Sequence, residues 1–361
     1  MNAGTTKTLT EPGKFAGLTL RNRVALAPMT RISGEADGRA NDLMLRYYRG
    51  YAEGGFGLLI TEGLYTDILA SQGYINQAGI ATQAQADSWK PVVEAVHRVG
   101  GRFIAQLMHA GALAQHNSFG HAPLAPSAIQ PKGEQMGFYH GEGPYALPKA
   151  AGPEDLDAVV QGFVQSARNA VDAGFDGVEI HGANGYLLDQ FLTDYTNARD
   201  DQFGGDSEAR IGFMCRVIES VRRAVSDETI VGVRISQGKV NDFEHKWANG
   251  LSDAEIVFSA LADAGADYIH TTEFEAFKPA FGDDGESLAV LAKRISSLEV
   301  IANGSLGDPA TAGEMLDEGI DLVALGRAAL GARDWPNRVA QGESIPDFNP
   351  EILSPSAEIK M

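Results

Sequence analysis

The stretch Val178-Glu179-Ile180-His181-Gly182-Ala183-Asn184-Gly185-Tyr186-Leu187-Leu188-Asp189-Gln190 decides how this chain is to be read. Its apolar opening stops abruptly at polar residues, as a strand buried on both faces does where it reaches a surface. A helix-like stretch, Pro153–Ala173, precedes it and another, Ser207–Val225, follows it. The same beat runs outward in both directions. Strand candidates fall at Val24–Met29, Leu58–Glu62, Phe103–Met108, Gly177–Ile180, Ile230–Ile235, Tyr268–Thr272, Val300–Ala302 and Leu322–Leu325. Between them lie helical segments at Asp42–Glu53, Thr82–Val99, Ser252–Ala264, Leu288–Ser296, Pro309–Glu318 and Trp335–Ala340. Eight strands, each followed by a helix, predict an α/β chain folded as one (β/α)8 TIM barrel over about residues 22–341 of a single domain, 1–361. A doubly wound sheet would need a Gly-x-Gly-x-x-Gly turn after its first strand, and none is present.

Helix starts carry their own signals. Gly152-Pro153-Glu154-Asp155 places proline and acids in a first turn, and Ser252-Asp253-Ala254-Glu255 has the spacing of a capping box. Two excursions interrupt the beat. Lys14–Arg21 reads as an N-terminal β-hairpin closing the barrel floor, and residues 110–151 form a glycine- and proline-rich lid after the third strand. The tail, about residues 342–361, is expected to be loose from Ser354 onward.

Charge and cysteine content exclude several functions. With 29 basic and 48 acidic residues the net charge is −19, so the chain repels a nucleic-acid backbone. Cys215 is the only cysteine, which rules out an internal disulfide and any all-cysteine zinc or iron–sulfur site. No apolar run is long enough to cross a bilayer, and the first twenty residues lack the basic start and apolar centre of a secretory leader. A cytoplasmic, membrane-free protein, monomer or homodimer, is expected.

Barrel chemistry sits at the C-terminal ends of the strands. The fourth end delivers His181, Asn184 and Tyr186, with Gly182 and Gly185 allowing the chain to turn sharply between them. Two neutral hydrogen-bonding side chains and a phenol are what polarising a carbonyl and donating a proton require. The seventh and eighth ends, Asn303-Gly304 and Gly326-Arg327, lie where barrels commonly hold a phosphate. Pro28, Met29, Thr30, Gln106, Met108 and Arg234 stand at other ends. No nucleophile-and-base pair is among them.

Arg21-Asn22-Arg23-Val24-Ala25-Leu26-Ala27-Pro28-Met29-Thr30-Arg31, His181 to Leu192, and Asn197-Ala198-Arg199-Asp200-Asp201-Gln202-Phe203-Gly204-Gly205 together resemble the Old Yellow Enzyme family of FMN-dependent ene-reductases. The resemblance covers most of residues 12–341 and is weakest within 110–150. It implies non-covalent, tightly bound FMN held by Pro28, Met29, Thr30, Gln106, His181, Arg234, Asn303, Gly304, Gly326 and Arg327. It implies NADH or NADPH as reductant and an activated alkene as substrate. His181 and Asn184 would bind the substrate oxygen, and Tyr186 would deliver the proton. One departure stands out: Met108 occupies a place where the family often has tryptophan.

Each of these residues also has a plainer reading. Arg234 needs a partner for its charge, which either a bound flavin or a carboxylate such as Glu179 would supply. Phe274 and Phe277 either line the substrate pocket or pack. His109, His116, His121 and His140 lack metal-ligand spacing, and Glu273 and Glu275 read as solvated rim charges, so no metal site is expected. A nitro compound, a nitrate ester or oxygen is the alternative acceptor, and a non-catalytic flavin-binding barrel is the reading from another class. No dinucleotide fingerprint exists to choose between NADH and NADPH.

Overall fold

Period-two alternation within the short strands sorts the apolar residues into two cores, and the fold follows from that sorting. In β3 (Val24–Leu26), Ala25 faces inward while Val24 and Leu26 face the helices. In β4 (Leu58–Ile60), Leu58 and Ile60 face inward and Leu59 outward. The computed structural model, which describes residues 8–360, closes eight parallel strands into a barrel. After β3 and β4 the ring continues with β6 (Arg102–Met108), β9 (Gly177–Asn184), β10 (Ile230–Lys239), β11 (Tyr268–Thr272), β12 (Glu299–Asn303) and β13 (Leu322–Leu325). Each pairs with the next in this order, and β13 returns to β3. The two-residue β5 (Leu64–Tyr65) pairs alongside β6.

The strand ends differ from expectation where function concentrates. β9 runs four residues and β10 four residues beyond the predicted Ile180 and Ile235, carrying pairing out to Asn184 and Lys239. Between Ile235 and Lys239 the β9–β10 register shifts, a bulge of the kind that re-aims side chains at barrel rims.

The hairpin is present as β1 (Gly13–Phe15) and β2 (Leu18–Leu20), paired antiparallel. It plugs the floor. Phe15 and Leu20 join Ile60, Ile104, Ile301 and Leu322 in the interior cluster, and the Phe15 ring lies 5.1 Å from that of Tyr268. Phe15→Ala would open a cavity beneath the site, and we expect a loss of about 3–5 kcal/mol in urea unfolding.

The main helices are α1 (Asp42–Glu53), α2 (Gln83–Arg98), α3 (Pro153–Ala173), α4 (Leu187–Leu192), α5 (Ser207–Ala224), α6 (Leu251–Asp263), α7 (Leu288–Ser296), α8 (Pro309–Asp317), α9 (Arg327–Gly331) and α10 (Trp335–Gln341). Short α4 and α9, each opening directly off a functional strand end, were not expected. Asp155 Oδ2 accepts from the Gly152 N–H at 2.8 Å, so the start of α3 is built as its sequence suggests. The start of α6 is not. Gly250 precedes the helix, Ser252 lies inside its first turn, and Asp253 reaches back to accept from the Asn249 N–H at 2.9 Å.

The lid leaves the barrel after β6 and makes one small parallel pair, β7 (Leu124–Ala125) with β8 (Lys149–Ala150). The Arg199 guanidinium clamps its ends, donating to the carbonyls of Pro126 and Ala151. Contrary to expectation, the tail is docked. Ala357 and Ile359 are buried, the Ala357 N–H donates to the Phe138 carbonyl at 2.8 Å, and the Ile359 N–H donates to Ser33 Oγ at 2.8 Å. Among the described residues no helix is long and apolar enough to cross a membrane.

Candidate active site

Asn184 and Gly185 adopt left-handed backbone conformations (φ 63° and 87°) and turn the chain sharply off β9 into α4. The turn is held from below by Asp189. One carboxylate oxygen accepts from the Gly185 N–H at 2.6 Å, and the other accepts from Lys239 Nζ at 2.6 Å, both side chains being buried. Burial pushes the Asp189 carboxyl upward, and Lys239 opposes that push. Lys239→Met would strand the buried carboxylate; we expect about 3–5 kcal/mol lower stability, measured by chemical denaturation.

Above this turn opens a cavity of about 1050 Å³ at the C-terminal end of the barrel. Pro28, Met29, Thr30, Gln106, Met108, His181, Asn184, Tyr186, Arg234, Phe274, Asn303, Gly304, Gly326 and Arg327 all line it. Phe277 does not; its ring sits under Lys278 instead. The tail contributes too, through Phe348 and Leu353.

His181 is buried with Nδ1 unpartnered. Burial first, then the charges of Arg234 and His270, hold its pKa well below the usual histidine value, so the ring is neutral. Asn184 Oδ1 accepts a long 3.4 Å bond from Arg234, an orientation that leaves the amide NH2 group to donate elsewhere. The Tyr186 and His181 rings meet edge to face at 5.1 Å. The Tyr186 hydroxyl lies 2.6 Å from that of Tyr74, and burial pushes its pKa up to about 12.

Arg234 does not pair with the carboxylate of Glu179. It donates to Asn303 Oδ1 at 2.8 Å and Thr272 Oγ1 at 3.1 Å, while its Nε is buried without a partner. Burial lowers its pKa to about 10, leaving it cationic at neutral pH. Asn303 passes the linkage on, donating to the Ala324 carbonyl at 2.8 Å. Gly304 (φ 140°) allows the seventh strand end to approach the sixth: a Cβ there would lie 2.0 Å from the Glu273 carbonyl oxygen. Arg327 donates to Ser305 Oγ and stacks over Phe274 at 5.1 Å.

Three features escaped the sequence. Tyr74, after β4 and before α2, carried no periodic or motif signal, nor did Tyr139, whose hydroxyl donates to the Thr30 carbonyl at 3.3 Å. Glu273 is not a solvated rim charge: its mostly buried carboxylate accepts from the Gln237 N–H and from Lys246 Nζ. Among the described residues no group of three or more His, Cys, Asp or Glu side chains could hold a metal ion. His109 is buried, and its Nδ1 accepts from the Gly111 N–H.

Residues 8–345 match the NADH:flavin oxidoreductase / NADH oxidase family. The chain belongs to that family. A putative 12-oxophytodienoate reductase 5 from Oryza sativa subsp. japonica is 40% identical over 341 residues, which cover 91% of this chain and 87% of that protein. The NADH:fumarate oxidoreductase of Klebsiella pneumoniae (strain 342) is 32% identical over 348 residues, covering 92% of this chain but only 36% of that larger protein. The solved Old Yellow Enzyme homologue from Zymomonas mobilis superposes with a TM-score of 0.87 at 30% identity, over 97% of each chain.

FMN is the family's cofactor, and this cavity suits it. Its floor offers a buried guanidinium with an unpaired Nε and a histidine with an unpaired nitrogen. At Gly326, opening α9, the nearest atom to an added Cβ would be Met29 Sδ at 3.7 Å, so the backbone there stays open to a ligand.

Proposed function

We propose that this chain is a cytoplasmic FMN-dependent ene-reductase, reduced by NADH or NADPH and oxidised by alkenes conjugated to a carbonyl or nitro group. The observation that carries the proposal is the convergence of His181, Asn184 and Tyr186 on one cavity with Arg234 and Gln106. FMN, when bound, supplies hydride chemistry that no side chain here can provide. Pro28, Met29, Thr30, Gln106, His181, Arg234, Asn303, Gly304, Gly326 and Arg327 would hold it. Gly326 and Arg327 would take the phosphate, against the chain's overall negative field.

The remaining chemistry belongs to the protein. His181 and Asn184 donate to the substrate oxygen, and these bonds strengthen as enolate charge develops. The ring of His181 is neutral, so it stabilises that charge without surrendering a proton. Tyr186 gives the proton to the α-carbon. Met108 and Phe274 line the same space and border the substrate.

Burial pushes the Tyr186 phenol up to about 12, so it stays essentially fully protonated at pH values well below that. The rate of alkene reduction by the reduced enzyme is therefore expected to be flat between about pH 6 and 9. A fall in rate across that range would show another group donating.

The deciding experiment is anaerobic stopped-flow absorbance of the FMN-loaded protein, adding NAD(P)H and then 2-cyclohexenone. Bleaching followed by enone-dependent recovery of colour is expected. Protein that cannot be loaded with FMN would overturn the reading. Bleaching that no activated alkene reverses would leave an oxidoreductase for oxygen or nitro compounds.

A further inference from the structure

Beneath the cavity floor lies a carboxylate that the proposed reaction does not use. Glu179, on β9, is fully buried inside the barrel and accepts three hydrogen bonds. Gln106 Nε2 reaches one oxygen at 2.8 Å; the Tyr268 hydroxyl and His270 Nδ1 each reach the other at 2.9 Å. Burying a charge here is costly, and apolar residues such as Ile60, Ile104 and Ile301 fill other inward positions at lower cost. A site function would account for keeping it.

The network fixes one orientation of Gln106. An ionised carboxylate accepts and cannot donate, so only the amide NH2 group of Gln106 can face it. Desolvation opposes the ionised form of Glu179, yet His270, Arg234 and Gln106 together hold the pKa below the usual carboxylate value. The carbonyl of Gln106, which lines the cavity, is thereby left as an acceptor. Oxidised isoalloxazine has a single N–H, at N3, so an acceptor at its edge can bond only there. Glu179 also interacts electrostatically with Arg234 without being its hydrogen-bond partner.

We propose that Glu179 is a positioning residue for the flavin: it locks Gln106 as an acceptor for flavin N3–H and offsets the charge that Arg234 presents to the ring. This rests on the FMN-binding role proposed above. In Glu179→Gln the new amide can donate to Gln106, freeing that side chain to flip and present its NH2 group to the cavity. Both the flip and the unopposed Arg234 charge favour the anionic reduced ring.

The test uses the full-length protein stripped of FMN and reloaded with FMN or 3-methyl-FMN, which lacks the N3–H. Wild-type protein should bind FMN at least tenfold more tightly than the analogue. Glu179→Gln should narrow that ratio and favour reduced over oxidised FMN about tenfold, a midpoint rise of about 30 mV for a two-electron couple. Tyr268→Phe, which removes one hydrogen bond and keeps the charge, should leave the potential near the wild-type value. A folded Glu179→Gln protein with unchanged discrimination and potential overturns the proposal. If Glu179→Gln does not fold, Glu179→Asp, which keeps the charge but draws it back from Gln106, takes its place: a narrowed ratio between the two flavins supports the proposal and an unchanged ratio overturns it. Wild-type protein that binds neither flavin would instead overturn the FMN site itself, and this inference with it.

Discussion

Tyr186→Phe is expected to slow alkene reduction by the reduced enzyme about 10²–10⁴-fold, the usual range for removing a positioned proton donor. Reduction by NADH or NADPH should be unchanged, because no proton from Tyr186 enters that half-reaction. The prediction is sharp because the ring is already fixed. It is buried, packs edge to face on His181, and begins the turn into α4, so phenylalanine fills the same space. The cost of the change falls on Tyr74, whose buried hydroxyl loses its 2.6 Å partner. An unsatisfied buried hydroxyl costs about 1–3 kcal/mol, which the variant can absorb without losing its fold. Single-turnover measurements of each half-reaction separate the outcomes. Equal slowing of both would mean that the substitution distorted the cavity, and no slowing of the second would remove Tyr186 as donor.

The barrel was legible because strands buried on both faces leave short apolar runs such as Leu322–Leu325, which coincides with β13; Tyr268–Thr272, apolar only at its start, still coincides with β11. Legibility fell where pairing outlasts hydrophobicity. Beyond Ile180 and Ile235 the residues turn polar, yet β9 and β10 continue because the bulge lets Lys239 pair opposite Asn184 and reach Asp189. Ser252 shows another limit: capping-box spacing was present, but the helix begins at Leu251 because Asp253 holds the preceding loop. The residues read from the strand ends, from Pro28 to Arg327, share one cavity, and of the two loop phenylalanines left between lining and packing, Phe274 lines it and Phe277 does not. The strand-end rule could not find Tyr74, Tyr139 or the tail residue Phe348, since each reaches the site by loop packing with no period to betray it. The docked tail was invisible for the same reason: its anchors, Ala357 and Ile359, are isolated apolar residues in a polar segment.

Met108 illustrates a different kind of information. The sequence identifies a methionine where the resembled family often has tryptophan, and the structure shows what surrounds it. Its sulfur lies 3.8 Å from Gln77 Nε2, and a Cβ at Gly63 would approach that sulfur within 2.3 Å. Methionine therefore fills a tight seat between the second and third strand ends, and a flat indole there would have to point into the cavity. That seat and the tyrosines at 139 and 186 together form one wall of the cavity, with Tyr74 held against Tyr186 behind it.

Removing the oxygen-binding pair should produce the other large effect. His181→Ala and Asn184→Gly are each expected to lower the rate of alkene reduction by about 10²–10³, the range for losing one donor to a developing oxyanion. Glycine is the right replacement at 184, because the left-handed backbone there (φ 63°) would add strain to an alanine variant and blur the result. Asn184→Asp provides a second test. It keeps the shape and the contact with Arg234, but places a negative charge where enolate charge forms, so it should be at least as slow as the glycine variant. Because the proposed mechanism has both donors acting on one oxygen, the double variant should fall short of the product of the single effects. His181→Ala should also weaken FMN retention, since His181 belongs to the proposed flavin-binding set. Asn184→Gly should leave FMN content near wild type, and this difference separates a substrate donor from a cofactor ligand. Should both variants reduce the enone at wild-type rates while retaining FMN, the polarising role would have to pass to other groups facing the cavity. Arg234, cationic and with its Nε unpaired, would then be the first to examine.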